Sequence, residues 1–135
     1  MSQEHAHGHD HGHELPFWQK YIFSVDHKVI GIQYGITATV FLLIGFILML
    51  LMRWQLAYPG QPLPVIGGLF SQAFAINGVM TPDFYNMLGA MHGTIMIFLG
   101  VVPMGVGAFG NYLVPIQIGA ADMAFPKLNA ASYWT

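Results

Sequence analysis

The sequence predicts an all-α integral membrane protein, made of two transmembrane helices and the start of a third within a larger helical bundle. Three observations predict it. Of 135 residues, 55% are hydrophobic and only 7% charged, where a soluble domain carries about 25% charged residues. Two runs without a charged side chain, 29–52 and 84–114, are each long enough to cross a bilayer. The chain then closes on ASYWT, which reads as the opening of a third helix stopping at Thr135. Two helices alone would leave too much small-residue and polar surface uncovered, so further helices are expected. The formal net charge of −2 gives no sign of a nucleic-acid partner. There is no cysteine, so any metal chemistry rests on His, Met and oxygen ligands. The first twenty residues are polar and histidine-rich, unlike a cleavable signal peptide.

Residues 1–14, MSQEHAHGHDHGHE, hold five of the seven histidines and read as a disordered cytoplasmic tail. Clustered imidazoles can chelate zinc, copper or nickel, but without a packed scaffold the site would be weak and unselective. LPFWQKYIFSVDHK, residues 15–28, interleaves aromatics with charges, as an interfacial segment does. Helix one is expected over about 29–53. Its uncharged part reaches roughly 36 Å, more than the roughly 30 Å of a hydrocarbon core. Residues 54–82 are rich in Pro and Gly and read as an outer loop, with a short interfacial helix around Leu69 to Ala75. Helix two follows over about 84–114. Its six glycines from Gly89 to Gly110 let a neighbouring helix or a flat cofactor approach the backbone, and Pro103 should kink it. An inner loop, 115–129, leads to the start of helix three at 130–135. Lys20, Lys28 and Lys127 flank the helices on one side and Arg53 alone lies on the other, so the N-terminus should face the cytoplasm.

Polar residues that a bilayer should exclude are the candidates for function. His92 enters helix two between Gly89 and Gly93. Neutral imidazole is a strong iron ligand, and the glycines would leave room for a macrocycle. A histidine that simply bonds a serine or carbonyl of another helix is an equally open reading. Arg53 ends helix one on the side where helix two begins, so the two residues could address one object. A snorkelling interfacial arginine is the alternative. At the opposite face, Asp122 has Asn111 eleven residues before it and Asn129 seven after. A carboxylate bordered by amides can pass protons to ordered water, because amides orient water without titrating. Asp122 could equally be a turn residue that caps the next helix.

The segments DHKVIGIQYG, MHGTIMIF and GAFGNYLVPIQIGAADMAFPKLN closely resemble subunit I of the haem-copper oxygen reductases, of the cytochrome c oxidase type. The resemblance runs from about Phe23 to Tyr133. It implies a bundle of about twelve transmembrane helices. It also implies reduction of dioxygen to water with electrons from cytochrome c, coupled to proton pumping in a bacterial inner membrane. By position, His92 matches an axial ligand of the low-spin haem, and Arg53 an arginine that bonds the formyl group when that haem is haem A. Asp122 matches the aspartate at the mouth of a proton channel, Asn111 and Asn129 the asparagines above it, and Tyr34 a tyrosine beside the same path. The full subunit would also carry a high-spin haem and a copper ion on later helices. The implied partners are oxidase subunits II and III, cytochrome c or a cytochrome c domain, and other respiratory complexes. Gln55 stands where many members have an acidic residue that holds a structural cation, which puts that site in doubt. Ala121 replaces a common proline, changing loop stiffness but sparing the carboxylate.

Two other readings fit the residues. One is a quinol-oxidising member of the same superfamily. The other, of a different class, is a haem-free transporter in which His92 and Asp122 relay protons.

Overall fold

A computed structural model describes residues 16–69 and 73–135; the histidine-rich tail of 1–14 lies outside them. The order is a short helix α1 (Phe17–Tyr21), a long helix α2 (His27–Ala57), a two-stranded hairpin (Ala75–Ile76 with Val79–Met80), a second long helix α3 (Pro82–Gln117) and α4 (Pro126–Trp134). α2 and α3 are long and apolar enough to cross a membrane, with mean hydropathy 2.5 and 1.8.

Helix α2 starts where Asp26 caps it, its Oδ1 accepting from the Lys28 N–H at 3.0 Å. It runs through Arg53 to Ala57, past the expected end. A charge ends hydrophobicity without breaking a helix, and the stop comes only before Pro59. Gln33 ties α1 to α2 by donating from Nε2 to the Tyr21 and Ile22 carbonyls, at 2.6 and 2.8 Å.

Helix α3 opens with Thr81 as N-cap, Pro82 in the first position and Asp83 in the first turn, each suited to a helix start. At Pro103, where a kink is expected, the helix is widened. Ile95–Val101 and Pro103–Phe109 are π-helical, and the Val102 N–H bonds Ile97 O five residues back. A proline removes one donor, and local widening lets neighbouring carbonyls find others. Past Gln117, Gly119 takes φ +72° and the Ala120 N–H returns to Pro115 O at 2.9 Å, ending the helix.

The loop between the long helices is folded. Asn77 and Gly78 take φ +52° and +82°, the two positive values that a tight hairpin turn requires. This hairpin includes Ala75, so the short helix expected around Leu69 to Ala75 is replaced by turn and strand among the described residues there. The signal was the Asn-Gly pair. Leu63 and Met80 from the loop bury against Phe84 and Leu88 of α3, with Leu48, Leu51 and Met52 of α2 packed around them. Along the shaft the helices meet through small residues. A Cβ on Gly100 would lie 2.6 Å from Leu42, and one on Gly31 3.1 Å from the Ala108 carbonyl. Large side chains such as Ile36, Phe98 and Val106 face outward, 62%, 67% and 74% exposed. That surface suits lipid or further helices.

Candidate functional site

The candidate residues fall into two groups, at opposite ends of the α2–α3 pair. At the loop end, His92 is half-buried on α3 and its Nδ1 lies 2.8 Å from the carbonyl oxygen of Gly45 on α2. A carbonyl only accepts, so Nδ1 is the donor here, and in the neutral imidazole Nε2 then keeps its lone pair. Among the described residues Nε2 has no hydrogen-bond partner. This is the arrangement of a metal-ligating histidine, in which one nitrogen is tied to a carbonyl and the other is left basic. The bond to another helix is therefore present, and it uses only one of the two nitrogens. Space follows the same pattern: a Cβ on Gly93 would meet nothing within 4 Å. Arg53 is exposed and has no ion pair or hydrogen bond among the described residues. Its neighbour Met52 reaches Gly89, with its methyl 3.4 Å from where a Gly89 Cβ would stand. Met52, not Arg53, is therefore the residue of this turn that meets α3.

These features fit a flat iron-bearing macrocycle: one imidazole nitrogen without a hydrogen bond and open space beside it. Among the described residues no three of His, Cys, Asp and Glu converge as a chelating set. Gln55 Oε1 and Trp54 Nε1, on the last turns of α2, are buried without partners.

At the other end, α2, α3, α4 and the loop before α4 line an open cleft of about 480 Å³. Tyr34, Asn111 and Asn129, far apart in sequence, all line it. Asn111 is 7% exposed and its Nδ2 donates to Gly107 O at 2.6 Å, while its Oδ1 has no partner. Asn129 Nδ2 is likewise buried and unpaired. One orphan accepts and the other donates, in one cleft. Bridging water satisfies such a pair. The Tyr34 hydroxyl is 3.1 Å from Ser132 Oγ, and its ring lies where a Gly107 Cβ would come within 2.6 Å.

Asp122 does not itself line this cleft; its neighbour Met123 does. The carboxylate is exposed and accepts from the Met123 N–H at 2.7 Å. It does not cap α4, whose N-cap is Phe125 with no side-chain bond.

Two residues of this region were not singled out from sequence. Ser132 sits three residues after Asn129, the spacing that puts both on one helix face. His27 had the look of an interfacial residue beside Asp26 and Lys28, yet it is only 2% exposed and its Nδ1 lies 2.9 Å from the Asn111 carbonyl oxygen.

Residues 29–135 match the protein family described as cytochrome c and quinol oxidase polypeptide I. The chain is 46% identical over 125 residues to cytochrome c oxidase subunit 1 of Thermostichus vulcanus, covering 93% of this chain and 20% of that protein. It is 45% identical over 118 residues to cytochrome c oxidase subunit 1 of Synechocystis sp., covering 87% and 18%. With the alternative cytochrome c oxidase subunit 1 of Bradyrhizobium diazoefficiens it shares 39% identity over 122 residues, covering 90% and 18%. The chain thus spans about a fifth of the length of these curated relatives.

Proposed function

The chain belongs to the cytochrome c and quinol oxidase polypeptide I family of multi-helix membrane proteins, and we propose that it is part of the catalytic subunit of a respiratory terminal oxidase. That oxidase reduces dioxygen to water, taking electrons from cytochrome c and pumping protons. The relatives' names favour cytochrome c over quinol as donor.

His92 is the residue we assign as an axial ligand of the low-spin haem, a haem A, with Arg53 toward a polar substituent of the ring. The observation that carries this is the His92 Nδ1 bond to Gly45 O. It sets the tautomer and ring orientation and leaves Nε2 as the ligating atom. When bound, the haem iron supplies one-electron transfer. The high-spin haem and the copper ion belong to later helices of the subunit, and subunits II and III complete the assembly.

We assign the opposite end as a proton entrance facing the cytoplasm of a bacterial inner membrane. Asp122, exposed to solvent, takes up the proton. The Asn111 Oδ1 acceptor and the Asn129 Nδ2 donor hold the water that carries it onward, beside the Tyr34 and Ser132 hydroxyls. The two amides and the serine hydroxyl carry no titratable proton in water, so they orient water without trapping the proton.

The test is His92→Ala in the complete oxidase. Loss of the low-spin haem spectrum is expected, and its retention would contradict the assignment. A pyridine haemochrome spectrum with no reduced haem band would instead favour the haem-free transporter.

A further inference from the structure

Proline 115 lies inside the last stretch of α3, almost fully buried. It has no N–H, so the carbonyl four residues earlier loses its helical donor. That carbonyl is Asn111's. The orphaned oxygen is met from the other helix, by the Nδ1–H of His27 at 2.9 Å. Close approach makes the reach possible. One turn further along α2, Gly31 lies so near α3 that a Cβ there would sit 3.1 Å from Ala108 O and 3.2 Å from the Tyr112 backbone nitrogen.

We infer that His27 is a positioning residue for proton entry: its Nδ1–H replaces the hydrogen bond that Pro115 removes, and so holds Asn111 in the cleft. Two contacts fix Asn111 and leave one of its polar atoms over. Its backbone oxygen goes to His27, its Nδ2 to Gly107 O, and its Oδ1 stays unpaired for water. Without His27 a buried carbonyl is unsatisfied, and the last turns of α3 must move to hydrate it. That movement carries the Asn111 side chain with it. The inference rests on reading this cleft as the proton entrance.

The experiment is a double-variant cycle in the complete oxidase, with proton uptake and the low-spin haem spectrum both followed. His27→Leu fills the site and removes the donor. Pro115→Ala restores an N–H to the helix, which should make His27 dispensable. In the wild-type background His27→Leu is expected to slow proton uptake roughly tenfold with an unchanged haem spectrum, the scale that one misplaced hydrogen bond carries. In the Pro115→Ala background the same change should slow it less than about twofold, and His27→Asn, whose amide can also donate, should retain most of the rate. An equal loss in both backgrounds would overturn the inference, since His27 would then act through its imidazole. Unchanged uptake in His27→Leu, with Asp122→Asn still slow, overturns it alone.

Should Asp122→Asn leave uptake unchanged, the channel reading has failed. The bond itself is then judged by the infrared frequency of the ¹³C-labelled asparagine carbonyls. One band should rise in His27→Leu and return in the double variant; no movement would refute the contact. If His27→Leu does not accumulate, recovery of assembly in the double variant supports the inference and failure to recover refutes it.

Discussion

The Nδ1 of His92 and the carbonyl oxygen of Gly45 are 2.8 Å apart across the two long helices, and the glycine is what permits it. A Cβ on Gly45 would collide with the middle of the Met96 side chain. Gly45→Ala should therefore push α2 and α3 apart and weaken the histidine's tether, at about 1–3 kcal/mol of overpacking. The expected result is a lower melting temperature and a shifted low-spin haem potential. Gly45→Ala with Met96→Ala should recover most of both, as measured by thermal melts and redox titration.

Arg53 is a cation without a protein partner among the described residues. A positive charge beside a haem favours the reduced state, so Arg53→Met should lower the low-spin potential. The shift should be on the order of 100 mV, the one-electron equivalent of a charged hydrogen bond of about 2 kcal/mol. Haem content should be unchanged. A potential within error of wild type would return Arg53 to the role of a snorkelling surface residue.

Asp122 uses one oxygen on the Met123 N–H and is otherwise open to solvent. Asp122→Asn keeps that acceptor and loses the titrating group. Proton uptake should slow by at least roughly tenfold, as for loss of an acid–base residue, while the haem spectra stay intact. Normal turnover and pumping would remove the channel assignment.

Gly107 faces the Tyr34 ring. A methyl added there meets a rigid aromatic face, so Gly107→Ala should destabilise by about 1–3 kcal/mol and narrow the cleft. Tyr34→Phe keeps the ring and loses the bond to Ser132 Oγ. Because that hydroxyl still donates to Asn129 O, the change should cost only about 1 kcal/mol or less. Thermal melts of the two variants separate the steric role from the polar one.

The hydrophobic runs determined the membrane class and the two spans without help from packing. A bilayer selects on composition and length alone, and an α2 of 31 residues with no charge between Lys28 and Arg53 leaves little choice. His92 stood out for the same reason, because an imidazole among apolar residues is costly wherever the helices lie. The helix ends were less legible, since caps and prolines set them and hydrophobicity does not. Asp26 and Pro59 moved both ends of α2 outward from the expected 29 and 53.

What only the tertiary structure decided is which polar atoms meet. Tyr34, Asn111, Asn129 and Ser132 share a cleft because three helices pack at particular rotations, and a period of 3.6 residues says which face a residue is on without saying what opposes it. The His27 contact needed more still: a proline that strips a carbonyl, a glycine that brings the helices close, and an imidazole within reach. Each residue is ordinary alone. Hydrogen bonds are short and directional, so their partners are settled by the packed backbone, whereas burial in lipid answers to the chain's composition.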